Sequence, residues 1–226
     1  MKPPVVIIPV KNRLDLTSPL VDALLAQGGY HSLLVYDNGS TDGTADWLDE
    51  SAAGRVHADG WTLHEMWNGG ITTAGMFGAP AVFLNNDIEI HGDDWLKRLC
   101  DGLDETGYSA VCPNYDGRTA EGIEPLNGIA AGKEDGTGGL AGFAFAVHPR
   151  FLRDYRFPTD LKWWCGDADM VCTMDLKGFA YGMVTNVAVT HIEGGSQTAK
   201  DHDLADTIRA DRTVFREKWK EYYSFA

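Results

Sequence analysis

The sequence predicts an α/β protein with a mostly parallel central sheet and helices on both of its faces. Two observations carry that expectation. Apolar strand-like runs alternate with amphipathic helical runs through the first half of the chain, the pattern of parallel strands joined by crossover helices. A hydrophobic content of 44% with 11% aromatics, over 226 residues, supplies a sizeable core. No linker-like stretch interrupts the chain, so a single domain over 1–226 is expected.

The elements follow in order. VVIIPV (5–10) reads as a buried strand. A helix follows in SPLVDALLAQGG, with Ser18 as cap, Pro19 in its first turn and Gly28 as stop. SLLVY (32–36) is the next strand, TADWLDESAA the next helix, and a short strand lies near Val56. AVFL (81–84) is a strand, and DDWLKRLCDGL (93–103) is a helix with Trp95, Leu96, Leu99 and Leu103 on one face. The second half is less regular. SAVCPNY (109–115) reads as a strand, and residues 116–139, rich in Gly, Asp and Glu, as a long loop. LAGFAFAVH (140–148) is a buried strand and DADMVCTMDLKG (167–178) a helix ended by Gly178. AYGMVTNVAVTH (180–191) supplies one or two strands, and DLADTIRADRTVFREKWKEYY a charged amphipathic helix.

The net charge is −14, which disfavours non-specific nucleic-acid binding, because a phosphate-backbone binder is expected to be basic. The opening MKPPVVIIPV has an apolar run too short and too broken by prolines for a signal peptide. No run of apolar residues reaches the length of a transmembrane helix. Cys100, Cys112, Cys165 and Cys172 show no C-x-x-C pairing, which favours reduced thiols and a cytoplasmic location.

Four stretches could carry chemistry. In LVYDNGSTDGTADW an apolar strand ends on Asp37 above a cluster of hydroxyls and loose N–H groups. A strand-end carboxylate can accept from a nucleobase edge; the same residues also suit an Asx-type turn that caps the next helix. FLNNDIEI places Asn85, Asn86 and Asp87 at another strand end, where oxygen ligands suit Mg²⁺ or Mn²⁺ or merely close a turn. WWCGDADM sets Trp163 and Trp164 ahead of Asp167 and Asp169 at a helix start. The acids could cap the helix, or one could be a general base beside an aromatic platform for a sugar or other acceptor. VTHIEGGS ends a strand on His191, and a lone histidine is more often structural than ligating.

Taken together and in this order, these pieces resemble the inverting glycosyltransferases of family 2, which have the GT-A (Rossmann-like) fold. The resemblance rests on VVIIPVKNR, VYDNGSTDGT, the N-x-G of Asn68 and Gly70, LNND as a rhamnosyltransferase-like variant of D-x-D, GDAD in place of an ED-type acceptor motif, His191, and RTVFREKWK, over about residues 4–220. It implies a nucleotide-sugar-binding half over about 1–104, and an acceptor-binding half with the C-terminal helix over about 105–226. Pro9 and Val10 would floor the nucleotide pocket, Asp37 would read the base, and Asn38 and Ser40 would support it. Asn68, Asn85 and Asn86 would lie along the donor. Asp87 and His191 would hold Mn²⁺ or Mg²⁺, and Asp167, or else Asp169, would be the base. Trp163, Trp164, Gly142 and Asp169 would meet the acceptor; separately, the glycines and acidic residues of loop 116–139 suit a lid over a polar or cationic acceptor. The implied donor is a UDP- or dTDP-sugar, with a glycan, lipid-linked, protein or modified-base acceptor. Two departures stand out. Asn85 replaces the first acid of D-x-D, and Gly166 leaves no side chain before the expected base. The competing readings are a sugar nucleotidyltransferase, against which PVKNRLDL lacks a Gly-rich basic loop, and a non-catalytic nucleotide-sugar- or carbohydrate-binding protein.

Overall fold

A computed structural model describes residues 1–119, 122–126, 139–192 and 202–223. In chain order the elements begin with β1 (Val5–Val10), α1 (Leu14–Gln27), β2 (Ser32–Asp37), α2 (Thr44–Glu50), β3 (Gly54–His57), α3 (Leu63–Phe77) and β4 (Ala81–Leu84). They continue with β5 (Ile88–Ile90), α4 (Trp95–Thr106), β6 (Ala110–Asn114), β7 (Ile123–Pro125), β8 (Ala144–Val147) and α5 (Pro149–Leu152). The last are α6 (Gly166–Lys177), β9 (Tyr181–His191) and α7 (His202–Trp219).

The strands form one sheet in the order β3-β2-β1-β4-β8-β6-β9-β5, with β7 also paired to β9. β1, β2, β3, β4, β6 and β9 run one way, while β8, β5 and β7 run against them. The sheet is therefore mostly parallel, as the alternating pattern predicts. Neighbouring side chains on β1 go to opposite faces, as strand geometry requires. Val5 and Ile7 join a core with Trp67 and Ile71 of α3, Met170 and Met174 of α6, and Phe215 of α7. Val6, Ile8 and Val10 join a second core with Leu20 and Leu24 of α1 and Trp95, Leu99 and Leu103 of α4. The four residues expected on one face of α4 are all buried. None of the helices among the described residues is long and apolar enough to cross a membrane.

Two local expectations are corrected. The first helix begins at Leu14, four residues before Ser18, and Pro19 lies inside it. The Leu14 N–H is capped from the next loop, by Asp42 Oδ2 at 3.1 Å, and Ser18 instead donates to the Leu14 carbonyl. A cap supplied 28 residues away in sequence leaves no local mark. Helix α3 was absent from the sequence reading altogether. Thr62 and Glu65 form a capping box at its start, so the T-x-x-E signature was there to be read. Its Gly70 lies so close to Ile7 that a Cβ would collide with that side chain. Loop 116–139 falls largely outside the described residues.

Candidate active site

Strand direction decides where the chemistry-bearing residues meet. In a mostly parallel sheet the strand ends that hold ligands share one edge. The tips of β1, β2, β4 and β9 all lie there. Because β8 runs antiparallel beside β4, with Leu84 opposite Ala144, the residues just before β8 come to the same edge, and the Asn85 N–H donates to the Phe143 carbonyl.

Asp37 ends β2 beside Val10 and is fully buried. Its Oδ1 accepts the Ser40 N–H at 2.9 Å, and its Oδ2 accepts Nε and Nη2 of Arg55 at 3.1 and 2.7 Å. Burial pushes its pKa up, but the Ser40 hydroxyl and N–H and the Arg55 guanidinium outweigh it and hold the carboxyl below its ordinary value. Ser40 Oγ also accepts the Asn12 N–H, and Asn12 Oδ1 accepts the Thr41 N–H at 2.7 Å. The loops after β1 and β2 are thereby locked together, with Asn12 and Arg13 in the left-handed region. Asn38 holds the turn after β3, donating to the Trp61 carbonyl and accepting the Gly60 N–H. Pro9 is half-buried and Val10 buried.

Asp87 and His191 converge. β5 pairs with the end of β9, Ile88 opposite His191, and the Ile192 N–H donates to the Asp87 carbonyl at 2.8 Å. Asp87 Oδ1 lies 3.4 Å from His191 Nε2, and that nitrogen makes no hydrogen bond among the described residues. The imidazole stacks on Phe143, ring centres 4.2 Å apart. Metal–ligand bonds of about 2.1 Å place neighbouring donor atoms roughly 3–3.5 Å apart, so this pair has the spacing of two ligands on one ion. Among the described residues no third His, Cys, Asp or Glu joins them.

Asp167 stands in the first turn of α6. Burial raises its carboxyl pKa against the opposing N–H groups of its own helix start. The side chain leans on Gly142: a Cβ built there would come 2.7 Å from the Asp167 carboxyl carbon. Gly142→Ala is therefore expected to push the carboxylate aside and lower turnover by roughly 10²-fold, the cost of a displacement near 1 Å, with little change in melting temperature. Steady-state rates and thermal melts of the variant check this.

Asp169 points elsewhere. It is 1% exposed, and its carboxylate accepts from Tyr155 OH and Trp219 Nε1 and pairs with Lys218. Two residues along a helix turn the side chain by about 200°, so Asp169 faces the core. The other predicted residues carry protein contacts. Asn68 exchanges two hydrogen bonds with the Phe157 backbone, and Asn86 is buried and donates to Thr17 Oγ1. Asn85 is half-buried, and Trp163 and Trp164 pack partly on the core. The Gly-Gly turn after His191 lies outside the described residues.

Three partners escaped the sequence reading: Arg55, His64 and Asp211. Arg55 leaves no periodic signal. Asp211 falls at i, i+4, i+8 with the buried Phe215 and Trp219, and His64 at i, i+3, i+7 with Trp67 and Ile71; a polar residue on an apolar stripe is the mark that could have found both. The four cysteines form no disulfide and are buried, and burial pushes the Cys100 and Cys112 thiols up to about 12, so neither is a thiolate nucleophile.

The model of glycosyl transferase family 2 matches residues 5–174. The chain belongs to that family. Solved structures agree on the fold. A Mycobacterium tuberculosis glucosyl-3-phosphoglycerate synthase in complex with Mn²⁺, UDP-glucose and phosphoglyceric acid superposes with a TM-score of 0.69 at 18% identity, over 96% of this chain and 79% of that one. Staphylococcus aureus TarS 1–349 in complex with UDP-GlcNAc gives 0.64 at 17%, over 95% and 66%. The Pyrobaculum calidifontis mannosyltransferase PcManGT in complex with GDP-Man and Mn²⁺ gives 0.61 at 17%, over 89% and 59%. The chain thus spans about two thirds of the TarS 1–349 length. Comparison with curated protein sequences gives no match. All three of these structures were solved in complex with a nucleotide sugar.

Proposed function

We propose that this family 2 member is a metal-dependent inverting transferase that moves a sugar from a UDP- or dTDP-linked donor to an acceptor hydroxyl. One observation carries the reading: Asp167 leans on Gly142, the next residue Phe143 stacks on His191, and His191 faces Asp87. A proton acceptor and a ligand pair are thus neighbours on one sheet edge.

The roles follow from the chemistry. Asp37 reads the N3–H of a pyrimidine. With Arg55 and Ser40 already on its oxygens, one donor has to yield, and the Ser40 hydroxyl does so at least cost because it turns about a single bond. Asp87 and His191 hold the cation; a mixed oxygen and imidazole pair fits Mn²⁺ better than Mg²⁺. A bound ion supplies neutralisation of the diphosphate charge. Asp167 takes the acceptor proton, and its raised pKa makes it a stronger base than an ordinary carboxylate. Displacement from the face opposite the diphosphate inverts the anomeric centre. Trp163 and Trp164, just ahead of Asp167, flank the acceptor.

A panel of UDP-, dTDP- and GDP-sugars, each with and without Mn²⁺, tests the reading by nucleotide release. Metal-dependent hydrolysis of a pyrimidine-linked donor is the expected result. Preference for a GDP-sugar would overturn the base assignment, and release of pyrophosphate from a sugar phosphate plus nucleoside triphosphate would replace the transferase altogether.

A further inference from the structure

Residues 157–165 lead into the helix start that carries Asp167, yet contain no helix or strand. Their backbone groups are gripped from two helices. From α3, Asn68 bonds both the N–H and the carbonyl of Phe157, the Leu63 N–H donates to the Lys162 carbonyl at 3.0 Å, and His64 Nδ1 bonds the Leu161 carbonyl. From α7, Asp211 is 2% exposed, and its Oδ2 accepts the N–H groups of Lys162, Trp163 and Trp164 at 3.1, 2.8 and 2.8 Å. Three successive N–H groups turned to one point form an anion nest, here filled by a side chain of the same protein.

The segment ends in Cys165, whose φ of 62° is left-handed. A residue with a side chain holds that conformation only where its surroundings over-determine it. A Cβ added at Gly166 would run into the His64 ring at Nε2, so the imidazole fills the space that a side chain before Asp167 would need. Burial lowers the His64 pKa, and its carbonyl partner assigns the proton to Nδ1 of a neutral ring.

We propose that Asp211 of α7 and His64 of α3 are positioning residues that together brace residues 161–165 and thereby fix the direction and the partial burial of the Asp167 carboxylate. The inference rests on Asp167 being the proton acceptor proposed above. Neither brace touches substrate. An amide at 211 carries no charge to hold the three N–H groups and turns an NH₂ toward the Lys162 N–H that Oδ1 accepts, so the grip on the segment weakens. Water then reaches those N–H groups. At 64, leucine fills the space but cannot hold the Leu161 carbonyl, whereas the asparagine amide N–H reaches where Nδ1–H does.

The test uses the full chain with ¹³C-labelled aspartate carboxyls, the Asp167 signal being assigned by its loss in Asp167→Asn. In the wild-type protein this signal is expected to titrate above the ordinary carboxylate range. In Asp211→Asn and His64→Leu the midpoint is expected to fall by roughly half a pH unit or more, and in His64→Asn to stay at the wild-type value. Thermal melts run alongside; loss of stability alone lowers the melting temperature without moving the midpoint of protein that is still folded. If Asp211→Asn fails to fold, the two His64 variants carry the comparison. One common Asp167 midpoint in every folded variant overturns the brace. Full sugar transfer by Asp167→Asn, with the midpoints moving as described, overturns the base assignment alone.

Discussion

Asp167→Asn is expected to lower turnover by roughly 10²–10⁴-fold, the usual contribution of a general base, while nucleotide affinity stays near that of the wild type. The amide keeps the shape of the side chain and its place against Gly142 but has no lone pair basic enough to take a hydroxyl proton. Single-turnover transfer from the donor that the panel identifies is the measurement. A rate within about threefold of wild type would place the base elsewhere.

The same variant carries a stability signature of opposite sign. Burial raises the Asp167 pKa in the folded state, so the native protein holds that proton more tightly than the unfolded chain does. Wild-type stability therefore falls as pH rises from the ordinary carboxylate value through the raised one. Asparagine removes this penalty. At pH 7 the variant should melt higher than wild type, by about 2–4 °C per kcal/mol recovered in a chain of this size. The gain should vanish in acid, once Asp167 is protonated in both states. A more stable and inactive protein is what a desolvated functional carboxylate leaves behind when neutralised.

Asp87→Ala is expected to abolish the metal dependence of nucleotide binding. His191 alone offers one nitrogen, and a single imidazole does not hold a hard divalent ion against water. Calorimetry of UDP with and without Mn²⁺ should show wild-type affinity rising roughly tenfold or more with metal, and the variant indifferent to it. His191→Ala should weaken the response without erasing it, since the carboxylate remains. Equal affinities in the presence and absence of Mn²⁺, for wild type and Asp87→Ala alike, would take the cation out of the proposed mechanism.

The local pattern was legible where one segment decided its own structure. VVIIPV, AVFL and the amphipathic run after Asp94 became β1, β4 and α4 because burial on a sheet or helix face repeats at fixed spacing. The carboxylates at strand ends and at a helix start were legible for the same reason: Asp37, Asp87 and Asp167 interrupt apolar runs where no packing requirement calls for charge. Within the site, the choice between Asp167 and Asp169 was not. Both residues sit in one acidic dipeptide repeat, and only the placement of Tyr155, Lys218 and Trp219 shows that Asp169 belongs to the core.

The sequence by itself determined the alternation of strands and helices, the sheet's dominant direction, and which residues could bear charge at its tips. Tertiary structure decided which of those tips meet. The antiparallel insertion of β8 between β4 and β6 sets Gly142 and Phe143 between Asp167 and the Asp87–His191 pair, and Arg55, His64 and Asp211 reach their partners across 18, 97 and about 50 residues of chain. The physical reason is range: periodicity and capping act over a few residues, while hydrogen bonds and charge pairing act over a few ångströms, wherever the chain returns to close them.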